Sequence, residues 1–158
     1  MNGHFEIDSE TVSKLIRLAE GPPEAQRISN SRRFGDLRLA QSLLEPSHSA
    51  RYLKSLVAGN MTEFGGRSCD SLKTDPLVRE CYRAICSNDE RYAHLGKQST
   101  GLHLTEEITK SLAHQILVGH EVLFAVVAAV LFVIQEAGIE QFCRLASAKK
   151  WNHPEGKQ

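Results

Sequence analysis

The sequence is poor in the features that most often announce a function. Aromatic residues make up 6% of it, too few to lay out a platform on which single-stranded bases would stack. Nineteen acidic residues stand against nineteen basic ones, so no net field draws the chain toward nucleic acid or an anionic membrane. None of the four cysteines, Cys69, Cys81, Cys86 and Cys143, forms a CxxC pair. That spacing argues against a clustered zinc site and leaves reduced thiols, acting as small apolar fillers, as the expectation. There is no GxSxG, no P-loop and no GxGxxG, and Gly65-Gly66 is too little to cradle a phosphate. The opening residues are charged and amphipathic rather than apolar, unlike a secretory leader, and a cytoplasmic setting is expected. No internal repeat or low-complexity tract is visible.

What the chain does have is one long apolar run. Val122 to Ile134 reads VLFAVVAAVLFVI, thirteen consecutive apolar residues in a polar chain of 158. As a helix the run rises about 20 Å, short of the roughly 30 Å hydrocarbon core of a bilayer. Extending it back to Ile116 takes in Gly119, His120 and Glu121, and a carboxylate inside lipid is costly, so a membrane span is disfavoured. The run is long for a strand. Gln135, Glu136 and Ala137 continue a helical pattern, and Gly138 suits the residue just past a helix end. The reading is one central helix over residues 120–137, apolar on nearly all sides and therefore wrapped by other helices or partly buried in a subunit interface.

Amphipathic segments surround it. Asp8 or Ser9 caps a first helix that turns Val12, Leu15, Ile16 and Ala19 to one face, and Gly21-Pro22-Pro23 stops it. Asp36 to Glu45 forms a second, with Leu37, Ala40, Leu43 and Leu44 at helical spacing, ended by Pro46. Ser47 caps a third, carrying Ala50, Leu53, Leu56 and Val57, and Gly59-Asn60 closes it. A loop follows over residues 60–74. Asp75-Pro76 opens a fourth helix with Leu77, Cys81, Ala84 and Ile85 inward. Residues 24–30 and 89–95 suit single helical turns, and Gly96 to His103 a second loop. Thr105 caps a fifth helix, with Glu106 and Glu107 in its first turn and Ile108, Leu112, Gln115 and Ile116 on one face. Ile139 to Ser147 makes the last, with Ile139, Phe142, Cys143 and Ala146 inward. The fold class is all-α: one helical bundle over residues 1–148, of about five to seven helices, followed by a frayed tail over 149–158.

Two groups of residues are candidates for chemistry. His114, His120 and Glu121 are the candidate metal ligands, with His94 and His103 able to join them only through the fold. Their spacing speaks against a shared face: His114 and His120 are separated by about 240° of helical rotation, whereas helical ligand pairs stand four residues apart. No cofactor is expected. The second group is basic. Arg27, Arg32, Arg33, Arg38, Arg51 and Lys54 outnumber the acids of their stretch and could meet phosphate through arginine forks. The later half is acidic, with Glu106, Glu107, Glu121, Glu136 and Glu140, a contrast that suits nucleic acid, an acidic partner or head-to-tail self-association.

The stretch VVAAVLFVIQEAGIE after His120 resembles the helix that follows the active-site loop of Fic/Doc proteins, which transfer nucleotide or phosphate groups. Their motif reads roughly HPFxDGNKR. Here His120 leads into Glu121-Val122-Leu123-Phe124-Ala125, without the acidic residue, glycine, asparagine and arginine of that motif, so the resemblance implies no transferase activity.

The functional expectation is a non-enzymatic helical interaction or regulatory module. It would self-associate through or near the apolar C-terminal helices, as a homo-oligomer or with a protein partner. The alternatives are an enzyme with a His/Glu pocket in the bundle, dependent on a metal or small molecule, and a nucleic-acid-associated regulator using the arginine-rich 27–54 segment.

Overall fold

The apolar run becomes the axis of the molecule. In the computed structural model, which describes residues 5–21, 31–44, 49–59, 74–87, 92, 100–116 and 119–149, seven helices and no strand occur among the described residues. They are α1 (Ser9–Glu20), α2 (Ser31–Ser42), α3 (Ser49–Ala58), α4 (Thr74–Ile85), α5 (Gly101–Leu112), α6 (His120–Ala137) and α7 (Ile139–Ala148). The all-α bundle expected from periodicity is the fold observed, and α6 spans the range read from the sequence.

Every residue of α6 from Val122 to Ile134 is buried except Phe124, which is half-buried. Five helices, α1, α2, α3, α5 and α7, pack around it. A helix apolar on all sides needs cover on all sides, and a single copy of the chain supplies it. The subunit interface invoked to cover this helix is therefore not needed for that purpose. By length and composition α6 could cross a membrane, and it is the one helix among the described residues that could. Here it forms the centre of a helical core. The fourth helix stands in an outer layer, packed on α3, α5 and α7.

The helix ends follow local chemistry. Asp8 caps α1, its Oδ1 accepting the Thr11 N–H at 2.7 Å. That hydrogen bond holds the Asp8 carboxyl below its ordinary range. Gly21 (φ 79°) ends α1 and Gly138 (φ 111°) ends α6, both in a backbone region that L side chains resist. Gly138 donates its N–H to the Ile134 carbonyl at 2.9 Å, in the role read from the sequence.

Several boundaries differ from expectation. The second helix runs from Ser31 to Ser42 rather than from Asp36 to Glu45, and Leu39 is buried beside Leu37 and Ala40, with Leu43 buried in the turn that follows. The fifth is capped by Thr100, whose Oγ1 accepts the His103 N–H at 3.0 Å, not by Thr105. Thr105 lies wholly buried inside α5 and donates its hydroxyl to the Gly101 carbonyl at 2.6 Å. Thr109 does the same to Thr105 at 2.7 Å. Each hydroxyl is satisfied four residues back along its own helix, which lets a polar residue occupy the core.

Lys149, expected to begin the frayed tail, is anchored. Its Nζ donates to Asp75 Oδ1 at 2.7 Å and to the Val57 carbonyl, joining the end of α7 to the start of α4 and the end of α3. The later tail residues lie outside the described residues.

Candidate functional site

The segment before α1, Phe5 to Asp8 among the described residues, is built into the body. Phe5 and Ile7 are buried while Glu6 between them is exposed, the alternation of an extended chain lying on a surface. Its main chain is gripped from two sides. Gln135, near the end of α6, accepts the Ile7 N–H on Oε1 at 2.8 Å and donates Nε2 to the Ile7 carbonyl at 2.8 Å. One amide side chain thus stands in for a neighbouring strand. On the other side, the Gly101 N–H at the start of α5 donates to the Glu6 carbonyl at 3.0 Å. This is one of the backbone donors a helix start leaves without a partner inside the helix. Glycine is required there by the closeness of the approach. A Cβ on Gly101 would come within 2.4 Å of the Glu6 oxygen and 2.6 Å of the Ile7 Cβ.

A cleft of about 1020 Å³ opens beside this segment. Its apolar lining includes Leu44, Leu102, Phe132 and Ile139, and its acids are Glu6, Asp8 and Glu136. No basic side chain lines it among the described residues. Leu102 is 43% exposed, one of two large apolar residues, with Leu18, that the described residues leave open to solvent. Chemically, the arrangement is suited to holding an extended polypeptide: paired main-chain hydrogen bonds, seats for alternate side chains, and an open apolar margin.

The residues singled out from the sequence sit elsewhere. His120 and Glu121 are exposed in the first turn of α6, and the His120 ring lies 6.0 Å from the Phe124 ring. His114 is exposed in the turn after α5, and His103 is exposed on α5. His94 lies outside the described residues. No three His, Cys, Asp or Glu side chains stand close enough to hold a metal ion among the described residues. Of the basic group, Arg38 on α2 and Arg51 and Lys54 on α3 are exposed, and both helices lean on α6. Arg32 and Arg33 fall in the first turn of α2, their side chains outside the described residues, and Arg27 lies outside them altogether.

Two features escaped the sequence reading. The first is a buried polar cluster. Glu80 on α4 is 1% exposed, and the Tyr92 hydroxyl donates to its Oε2 at 2.5 Å. Arg83 reaches Oε1 at 3.4 Å, and Ser111 on α5 lies 3.3 Å from the Tyr92 hydroxyl. Burial, reinforced by the bond to Glu80, pushes the Tyr92 hydroxyl well above its ordinary range. The adjacent Cys81 thiol is raised too, by complete burial and then by the Glu80 charge. The signal was present: Glu80 lies three residues after Leu77 and four before Ala84, on the stripe assigned to the core.

The second feature corrects the cysteine reading. Cys86, in the turn after α4, and Cys143 on α7 form a disulfide with a Cα–Cα separation of 5.6 Å. Cys81 remains a free, buried thiol, as expected of a filler. Cys69 lies outside the described residues. Nothing in the spacing of the cysteines distinguished the bridged pair, which stands 57 residues apart.

Comparison with known proteins adds no relative: no family model, no curated protein and no solved structure matches this chain.

Proposed function

We propose that this chain is a non-enzymatic helical interaction module that self-associates at the end of the bundle where α1, α5, α6 and α7 meet. The observation that carries the reading is the seat of the Phe5–Ile7 segment. Gln135 and Gly101 already hold an extended polypeptide there by its main chain, beside an open cleft with an apolar margin. Main-chain pairing supplies affinity, and the seats of alternate side chains supply selectivity, as in other modes of extended-peptide recognition. The location agrees with an interface near the apolar C-terminal helices, since Phe132, Gln135, Glu136 and Ile139 all face the cleft. Leu102, 43% exposed, stands on the same lining.

The test is the absolute mass of the purified chain by light scattering on a sizing column, across a hundredfold range of concentration. A dimer or larger species that grows in with concentration, and that Leu102→Glu shifts back toward monomer, is the expected result. A monodisperse monomer at every concentration overturns the reading.

A further inference from the structure

We infer that the Phe5–Ile7 segment is exchangeable between copies: the seat on α5 and α6 of one chain takes up this segment of a second chain, and self-association proceeds through the swapped arm. The inference rests on the self-association proposed above and supplies its mechanism.

Three observations support it. The seat recognises features that any copy of the segment carries. It uses both polar main-chain groups of Ile7, the carbonyl of Glu6, and two side chains spaced two residues apart. Nothing in this grip requires the segment to be joined to the α1 that follows it in the same chain. Next, the joint between segment and body is a single residue outside the helix. Asp8 is extended (φ −104°, ψ 161°), and its side-chain cap on Thr11 is made within α1, so rotation before the cap leaves the helix intact. Finally, the surface beside the seat is open. The cleft, with Leu44, Leu102 and Ile139 on its lining, gives the second body apolar area to bury on arrival.

The energetics follow from symmetry. Each hydrogen bond and apolar seat that the segment gives up on its own chain is matched by an identical one on the partner, so the exchange itself is close to neutral. The balance is set by protein concentration against the effective concentration of the tethered segment, which for a short tether is in the millimolar range.

Gly101→Ala is the incisive variant. Alanine favours helix at that position, so α5 is not weakened. The three atoms nearest its Cβ all belong to the segment, the closest being a backbone oxygen that has little room to yield. The experiment has two readouts on the full-length chain. One is the mass as a function of concentration. The other is binding of a fluorescent peptide spanning residues 5–11, measured by anisotropy on the wild type, on Phe5→Ala/Ile7→Ala, and on that double variant with Gly101→Ala added. Helical circular dichroism confirms folding of each, and Gln135→Glu serves as a second probe, since it keeps the acceptor for the Ile7 N–H and loses the donor to its carbonyl.

We expect the peptide to bind Phe5→Ala/Ile7→Ala at least tenfold more tightly than the wild type, whose seat is occupied. Addition of Gly101→Ala should abolish that binding, and Gln135→Glu should weaken it by tenfold or more. Gly101→Ala and Gln135→Glu should each shift the oligomer toward monomer. An oligomer that ignores both variants, or a peptide that does not bind the emptied seat, overturns the swapped arm and leaves self-association standing. A monomer at all concentrations overturns both.

Discussion

Removal of the Cys86–Cys143 bridge should cost a large part of this protein's stability, and the amount can be worked from topology. The bridge joins the end of α4 to α7 across 57 residues of sequence, a span that contains α5 and the central α6. Cross-linking a loop of that size removes conformational freedom from the unfolded chain worth about 4 kcal/mol at room temperature. In the folded state α4 and α7 also pack on each other and are joined through Lys149 and Asp75, so the loss on reduction is expected to fall mainly on the unfolded side. For a chain of this length a loss of about 4 kcal/mol corresponds to a fall in melting temperature of roughly 8–16 °C. The assay is urea denaturation followed by far-ultraviolet circular dichroism, for the oxidised protein, the protein in dithiothreitol, and Cys86→Ala/Cys143→Ala. Peptide mapping of the oxidised form checks the linkage. Failure to recover a Cys86–Cys143 peptide would refute the bridge, and a change in unfolding free energy on reduction of less than about 0.5 kcal/mol, the usual scale of an inert surface change, would refute its weight. Rapid alkylation at lysis carries the same question to the cell, because a reducing compartment would keep such thiols reduced and an oxidising one would keep the bridge.

Two further outcomes follow from the buried cluster at Glu80. Tyr92→Phe deprives a carboxylate that is 1% exposed of its 2.5 Å hydrogen bond and should cost about 2 kcal/mol in urea denaturation; a change within about 0.5 kcal/mol would show that other partners satisfy Glu80. Alkali should also destabilise the fold. The folded pKa values of Cys81 and Tyr92 both lie above their ordinary values of 9.0 and 10.0, so the native state keeps protons that the unfolded chain sheds. Their contribution is intact below pH 9 and declines as the pH rises past 9 for the thiol and past 10 for the phenol. The denaturation midpoint should therefore fall between pH 8 and 10.5 in the wild type and fall less in Cys81→Ala/Tyr92→Phe. Equal falls in the two would exclude these groups as the source.

The sequence by itself determined the helices and their centre. Periodic apolar residues fixed most of the inward faces of α1, α3 and α7, with Ala50 on α3 exposed instead, because burial of a stripe at 3.6-residue spacing is a local property of the chain. The uninterrupted run from Val122 to Ile134 fixed α6 as the core helix, and Gly138 fixed its end through the left-handed backbone region that glycine enters freely. Asp8 was legible as a cap for the same local reason. The cap of α5 was not, since Thr100 and Thr105 both offer a hydroxyl before an apolar stripe, and only packing decided that Thr105 lies inside.

Everything that brings distant residues together belonged to the tertiary structure. Gln135 reads as the polar end of an apolar helix, yet it grips Ile7 from 128 residues away. Gly101 reads as a loop glycine, and its real constraint is the carbonyl of Glu6 pressed against it. Cys86 and Cys143 became partners, while the nearer Cys81 stayed free, because packing of α4 on α7 set which thiols meet. Conversely, His114, His120 and Glu121 stood out as reactive residue types and ended exposed and apart from any metal cluster among the described residues. A hydrophobic pattern constrains each helix about its own axis, but not which face of which neighbour it meets. That choice depends on the summed fit of all the helices around α6, and the seat of the Phe5–Ile7 segment exists only once it has been made.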